Sequence, residues 1–167
     1  MSAGRYEGAL RDVIHAFKYE GRRSLAHPLG TLMRDAGRSV LDGCDCVVPV
    51  PLHVWRRLHR GFNQARDLAR QLDRPVVDAL WRVRATRPQM ALPADARRTN
   101  LRNALFVSPF ISVEDRVVVL VDDVRTTGET LDVCARALAR AGARDVRALT
   151  VALAEKTVAP RGVQLRG

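Results

Sequence analysis

The chain has 167 residues, enough for one substantial hydrophobic core and short for two domains that would each bury their own. Its 28 Lys and Arg against 18 Asp and Glu give a net charge of +10, which suits polyanions, whether phosphorylated small molecules or a nucleic-acid backbone, without choosing between them. No apolar run approaches the roughly 20 residues that span a bilayer and no signal-peptide-like stretch opens the chain, so membrane insertion is not expected and the cytoplasm is the default address.

In chain order, Leu10, Val13, Ile14 and Phe17 recur at helical spacing and predict an amphipathic first helix whose apolar face covers a sheet. Residues 25–36 read as a second helix with Pro28 near its first turn, where the missing N–H is tolerated. Residues 46–50 form a short apolar strand that Pro49 and Pro51 stop, turning the chain outward. The loop over 51–63 follows that strand's carboxyl end, where doubly wound sheets bind ligands. Phe62 is expected to pack beneath this loop, and Asn63 can cap a helix running to about residue 72. Proline, arginine and weak periodicity over residues 86–103 mark a long excursion of the kind that often carries function.

The most informative stretch comes next. Val117-Val118-Val119-Leu120-Val121 reads as a strand covered on both faces, and it runs directly into Asp122-Asp123-Val124-Arg125-Thr126-Thr127-Gly128-Glu129-Thr130. Leu131, Cys134, Ala135 and Leu138 then recur at helical spacing over residues 130–141, with Thr127 or Thr130 available as N-cap and Gly142 just past the end. Unpaired N–H groups and the positive end of the dipole face the turn at such a helix start. The dipole supplies only about 0.3–1 kcal/mol at an exposed site, so the hydroxyls of Thr126, Thr127 and Thr130 must help to hold a phosphate. Gly128 lets the backbone approach the ligand and tolerates positive φ. Two carboxylates beside a phosphate cradle would repel the phosphate, so Asp122 and Asp123 need another task. Ribose hydroxyls and magnesium provide one, and a sugar phosphate is implied. Glu129 would repel phosphate if it pointed inward, so an outward side chain is expected. Residues 146–153 form the last strand, followed by a polar tail from residue 155.

Other chemistries find little support. His15, His27, His53 and His59 are scattered without metal-ligand spacing, and Ser24, Ser39, Ser108 and Ser112 lack a nucleophile-elbow context. Cys44, Cys46 and Cys134 form neither a disulfide framework nor a zinc ribbon and are read as buried or idle thiols. No GxGxxG or GxxxxGK[ST] motif occurs, which argues against dinucleotide and P-loop nucleotide binding. Few aromatic residues interleave with the arginines, which weakens a base-stacking nucleic-acid platform.

The run Asp122 to Thr130 resembles the 5-phosphoribosyl-1-diphosphate (PRPP) binding signature of type I phosphoribosyltransferases. Val47-Val48-Pro49-Val50-Pro51-Leu52-His53 and Arg60-Gly61-Phe62-Asn63-Gln64-Ala65 resemble the ComF/GntX family. So do Tyr6-Glu7-Gly8, Lys18-Tyr19-Glu20-Gly21-Arg22-Arg23, Gln89 ahead of Arg97-Arg98-Thr99-Asn100, and Ala104-Leu105-Phe106. The resemblance covers residues 6 to about 154 and implies one α/β domain with the type I fold: a doubly wound, mainly parallel sheet, helices on both faces and a flexible loop or hood. Family members commonly carry a zinc-ribbon-like segment ahead of this region, and the resemblance implies that this chain lacks it.

By the same resemblance, Asp122 and Asp123 are the catalytic carboxylates, and residues 122–130 as a whole bind PRPP. Pro51, Leu52, His53 and Arg60 form a pyrophosphate loop, to which Arg56 and Arg57 could add charge. Gln89, Arg97, Arg98 and Asn100 form a flexible loop that closes over the substrate. Magnesium would be carried by PRPP, with Asp122 or Asp123 assisting, rather than bound by the protein alone. Two functions follow: Mg-dependent transfer of a phosphoribosyl group to a base or amine with release of pyrophosphate, or a non-catalytic role in competence and DNA uptake, binding single-stranded DNA or regulated by PRPP. A competence helicase and a homo-oligomer are the partners the resemblance adds.

Overall fold

The computed structural model describes residues 1–52, 61–82 and 105–154. Its elements in chain order are β1 (Ser2–Arg5), α1 (Gly8–Tyr19), α2 (Ala26–Ala36), α3 (Arg38–Leu41), β2 (Cys46–Pro49), α4 (Gln64–Ala69), β3 (Leu80–Arg82), β4 (Leu105–Val107), β5 (Val117–Arg125), α5 (Glu129–Arg140) and β6 (Asp145–Leu153). Four strands form one sheet in the order β1-β6-β5-β2, and every pairing in it is parallel.

A parallel sheet must be covered on both faces, and the alternation along β5 shows how this is done. Val119 and Val121 join Ile14 and Phe17 of α1, Leu29 and Met33 of α2 and Leu68 of α4 in one core. Val118 and Leu120 join Leu131, Cys134 and Leu138 of α5 in the other, together with Leu80 and Leu105 from the antiparallel β3–β4 ribbon. The apolar helical stripes expected for α1 and α5 are the faces that meet the sheet. Helix α5 ends as Gly142 predicts, in a Schellman arrangement: Gly142 N–H donates to the Ala139 carbonyl and Ala143 N–H to that of Leu138, both at 3.1 Å, with Gly142 at φ +92°.

Several expected boundaries move. Strand β5 is nine residues long and includes Asp122, Asp123, Val124 and Arg125, because β6 continues to pair with it as far as Arg125 opposite Leu153. The cap of α5 is Gly128, not Thr127 or Thr130; its φ of +81° puts the left-handed kink where the helix starts. Helix α4 keeps regular geometry only to Ala69, and tight turns carry the chain on to Leu72. Pro49 lies within β2, at the sheet edge, where its missing N–H is tolerated. Strand β1 and the β3–β4 ribbon are short elements that periodicity does not reveal. The excursion over residues 86–103, the loop residues 53–60 and the tail lie outside the described residues.

Candidate functional site

Two strand ends and one helix start meet at the carboxyl edge of the sheet. Because β5 stays extended through the two aspartates, its pleat sends them to opposite faces. Asp122 lies on the α5 side, close enough to the Cys134 thiol for its charge to act there, and one of its carboxylate oxygens accepts the Asp123 N–H at 2.9 Å. Asp123 lies on the α1 side, where its carboxylate meets the Lys18 ammonium at 2.7 Å. The side chains of Lys18 and Asp123 are only 15% and 13% exposed, so this pair is nearly buried. The carboxylates therefore stand as two flanks of the strand end rather than side by side in a turn.

Past Arg125 the chain forms the expected tight loop. The Thr127 hydroxyl accepts the Glu129 N–H at 3.4 Å, and the Gly128 carbonyl accepts the first intrahelical bond, from Asp132 N–H at 2.9 Å. Among the described residues, the N–H groups of Thr126, Thr127 and Gly128 donate to no carbonyl, and both threonines are exposed. A Cβ on Gly128 would meet Arg125 Nε at 3.4 Å, so the guanidinium lies against the loop. Together with the α5 N-terminus, these parts supply the donors that an anion cradle uses. Glu129 and Thr130 are half-buried in the first turn of α5.

The second strand end belongs to β2. Val50 N–H donates to the Val121 carbonyl at 2.9 Å, after which Pro51 and Leu52 leave the sheet half-buried. Asn63 anchors the chain's return: its side-chain oxygen caps α4 at Ala65 N–H (3.1 Å) while its amide reaches the Val50 carbonyl (3.3 Å). Phe62 packs on Phe17, with ring centroids 5.8 Å apart, and carries the Arg23 guanidinium 5.3 Å above its ring. A cleft of about 470 Å³ opens here, bordered by Leu52, Asn63 and Trp81. Arg23, Arg66, Arg70 and Arg82 line it against two carboxylates, Asp67 and Asp78. Arg23 grips Asp67 through two bonds of 2.8 and 2.9 Å, and Arg66 pairs with Asp78 at 2.7 Å.

The structure thus brings residues 122–130 together with Pro51 and Leu52 at one edge of the sheet. His53, Arg56, Arg57, Arg60, Gln89, Arg97, Arg98 and Asn100 lie outside the described residues. Lys18 and Arg23 were visible only as motif residues without a role; what marks Lys18 in the sequence is its place one residue after Phe17 on the apolar side of α1. No group of three or more His, Cys, Asp or Glu side chains among the described residues gathers to hold a metal. The hard oxygen donors of Asp122 and Asp123 are of the kind magnesium takes, although they stand on opposite flanks of β5 and Asp123 is paired with Lys18. No helix among the described residues is long and apolar enough to cross a membrane.

Comparison with known proteins identifies the family. The phosphoribosyl transferase domain family matches residues 58–162. Competence protein F of Haemophilus influenzae is 36% identical over 157 residues, covering 86% of this chain and 68% of that protein. DNA utilization protein YhgH of Escherichia coli K12 is 38% identical over 159 residues, covering 88% and 68%. Among solved structures, a purine phosphoribosyltransferase from Pyrococcus horikoshii aligns at 20% identity and a TM-score of 0.44, over 75% of this chain and 70% of that one.

Proposed function

Since the chain belongs to the ComF family and carries its phosphoribosyl transferase domain, we propose that it binds PRPP at the carboxyl edge of the sheet and transfers the phosphoribosyl group to a base or amine, releasing pyrophosphate. The observation that carries this reading is the pair of carboxylates on β5 directly ahead of an anion cradle with exposed threonine hydroxyls and backbone amides. In the reaction, an acceptor nitrogen forms a bond to C1 of the ribose as the bond from C1 to the diphosphate oxygen breaks. The electron pair leaves with pyrophosphate, and the acceptor's surplus proton passes to it or to water.

Asp122 and Asp123 accept hydrogen bonds from the ribose hydroxyls and favour the positive charge that develops on the ring. Thr126, Thr127, Gly128 and Thr130 hold the 5-phosphate, while Glu129 points away from it and Arg125 adds charge at its rim. Pro51 and Leu52, with His53 and Arg60, receive the diphosphate, and Gln89, Arg97, Arg98 and Asn100 close over it and exclude water. Asp122 or Asp123 would help to hold a magnesium ion carried by the ligand, which would supply neutralising charge for the diphosphate. The chemistry needs positioning and electrostatics, and no covalent nucleophile. A cytoplasmic location follows for a protein using an intracellular sugar phosphate.

Calorimetric titration of PRPP with magnesium tests the site. Saturable binding by the wild type, weakened at least about 100-fold when both ribose-binding carboxylates are replaced in Asp122→Asn/Asp123→Asn, is the expected result. Absence of binding by the wild type would sink the reading. Binding by the wild type would justify screening bases and amines for pyrophosphate release.

A second reading is favoured by one observation. Trp81 and Phe106 are direct partners across the β3–β4 ribbon and are 58% and 53% exposed on its outer face. Two adjacent exposed rings beside an arginine-lined cleft fit unstacked bases of single-stranded DNA, a role also suggested by the names of the competence and DNA utilization relatives.

A further inference from the structure

The contact between Lys18 and Asp123 joins two motifs that sequence keeps apart, and the proposed reaction leaves the first of them without a task. We infer that Lys18 is a positioning residue for the ligand: its ammonium fixes the Asp123 carboxylate on one flank of β5 so that it meets the ribose hydroxyls in a single orientation. This rests on the PRPP reading of the site and adds to it a residue from the other side of the fold.

Asp122 accepts the N–H of its own neighbour at 2.9 Å. Asp123 is oriented from outside the sheet, by a lysine on the last turn of α1 at 2.7 Å. That turn is itself tied down: Phe17 is fully buried in the core against the sheet, and the Gln64 amide reaches the Lys18 carbonyl at 3.5 Å. A nearly buried carboxylate without a partner would turn towards water and lose its fixed orientation. The ammonium holds it in place. It also answers the electrostatic objection to placing two aspartates before a phosphate cradle, since it neutralises one of them and lowers the repulsion felt by an incoming phosphate and diphosphate.

The test is calorimetric titration of magnesium and PRPP into the wild type, Lys18→Met, Lys18→Arg, Asp123→Asn and the Lys18→Met/Asp123→Asn double variant, each checked for folding by thermal melting. Lys18→Met is expected to weaken binding at least about ten-fold, the scale of one charge-assisted hydrogen bond, and Lys18→Arg to stay within about three-fold of the wild type. In the Asp123→Asn background Lys18→Met should cost little more, because a residue that acts through Asp123 has nothing left to position. If Lys18→Met does not fold, Lys18→Gln takes its place with the same expectation. A wild type that binds PRPP while folded Lys18→Met binds equally well, or a double variant whose losses simply add, overturns the positioning role and leaves the PRPP site standing. A wild type that ignores PRPP overturns the site, and this role with it.

Discussion

Cys134 shows how closely the ligand edge is joined to the core. Its thiol is fully buried in α5, and burial, with the nearby Asp122 charge adding to it and Arg82 opposing, pushes its pKa from the ordinary 9.0 up to about 12. The folded protein therefore keeps this proton over a range in which the unfolded chain has lost it. The stability linked to that difference is fully present below pH 9.0 and is lost as pH climbs towards 12. Cys134→Ala should have lower stability at neutral pH, from the small cavity it leaves, and a flatter decline between pH 9 and 11 than the wild type; urea titrations across that range measure both. An equally steep decline in the variant would mean that other groups carry the alkaline loss. The same burial makes Cys134 a packing residue and not a nucleophile, as its place on the apolar stripe of α5 suggests.

At the scale of elements, the ligand edge depends on how two strand ends are stopped. Helix α4 has only six residues and cannot hold itself together, so its Asn63 cap matters more than it would on a longer helix. Because that side chain also reaches back to Val50 at the end of β2, Asn63→Ala should cost about 1–2 kcal/mol in urea unfolding and loosen the turn that presents Pro51 and Leu52. A loss below about 0.3 kcal/mol would show that packing of Phe62 alone sets this turn. The cap, like the β5 run and the α5 stripe, was legible because its signal is local: one side chain, one period, one apolar run. The strand membership of Asp122 and Asp123 was not, because it follows from pairing with β6, more than twenty residues further on. The same holds for Lys18, whose partner is a distant aspartate, and for β1, which is held as an edge strand by β6 and has no apolar pattern of its own. Long-range pairing decided which face each carboxylate lies on.

For the whole molecule, the net charge of +10 fits PRPP and DNA equally, so charge alone separates neither function. The described surface adds what composition lacks. Aromatic residues are few, but two of them, Trp81 and Phe106, stand side by side on the exposed face of the β3–β4 ribbon, next to a cleft with four arginines against two aspartates. If single-stranded DNA binds there, backbone and base contributions can be told apart. Affinity for a short oligothymidine, followed by fluorescence anisotropy, should fall with salt at a log–log slope of about −0.7 for each phosphate neutralised, giving roughly −2 to −3 if three or four cationic side chains are engaged. Trp81→Ala and Phe106→Ala should each weaken binding by about 1–3 kcal/mol and leave that slope unchanged, because stacking is lost while no phosphate contact is. Arg66→Ala should do the reverse, with a shallower slope, since Arg66 reaches the cleft although it is paired with Asp78. Equal salt-sensitive binding in the wild type and both aromatic variants would reduce the ribbon to a bystander in a field of positive charge. No binding at low salt would remove DNA from the account and leave the carboxyl edge of the sheet, with its small anionic ligand, as the functional surface of the fold.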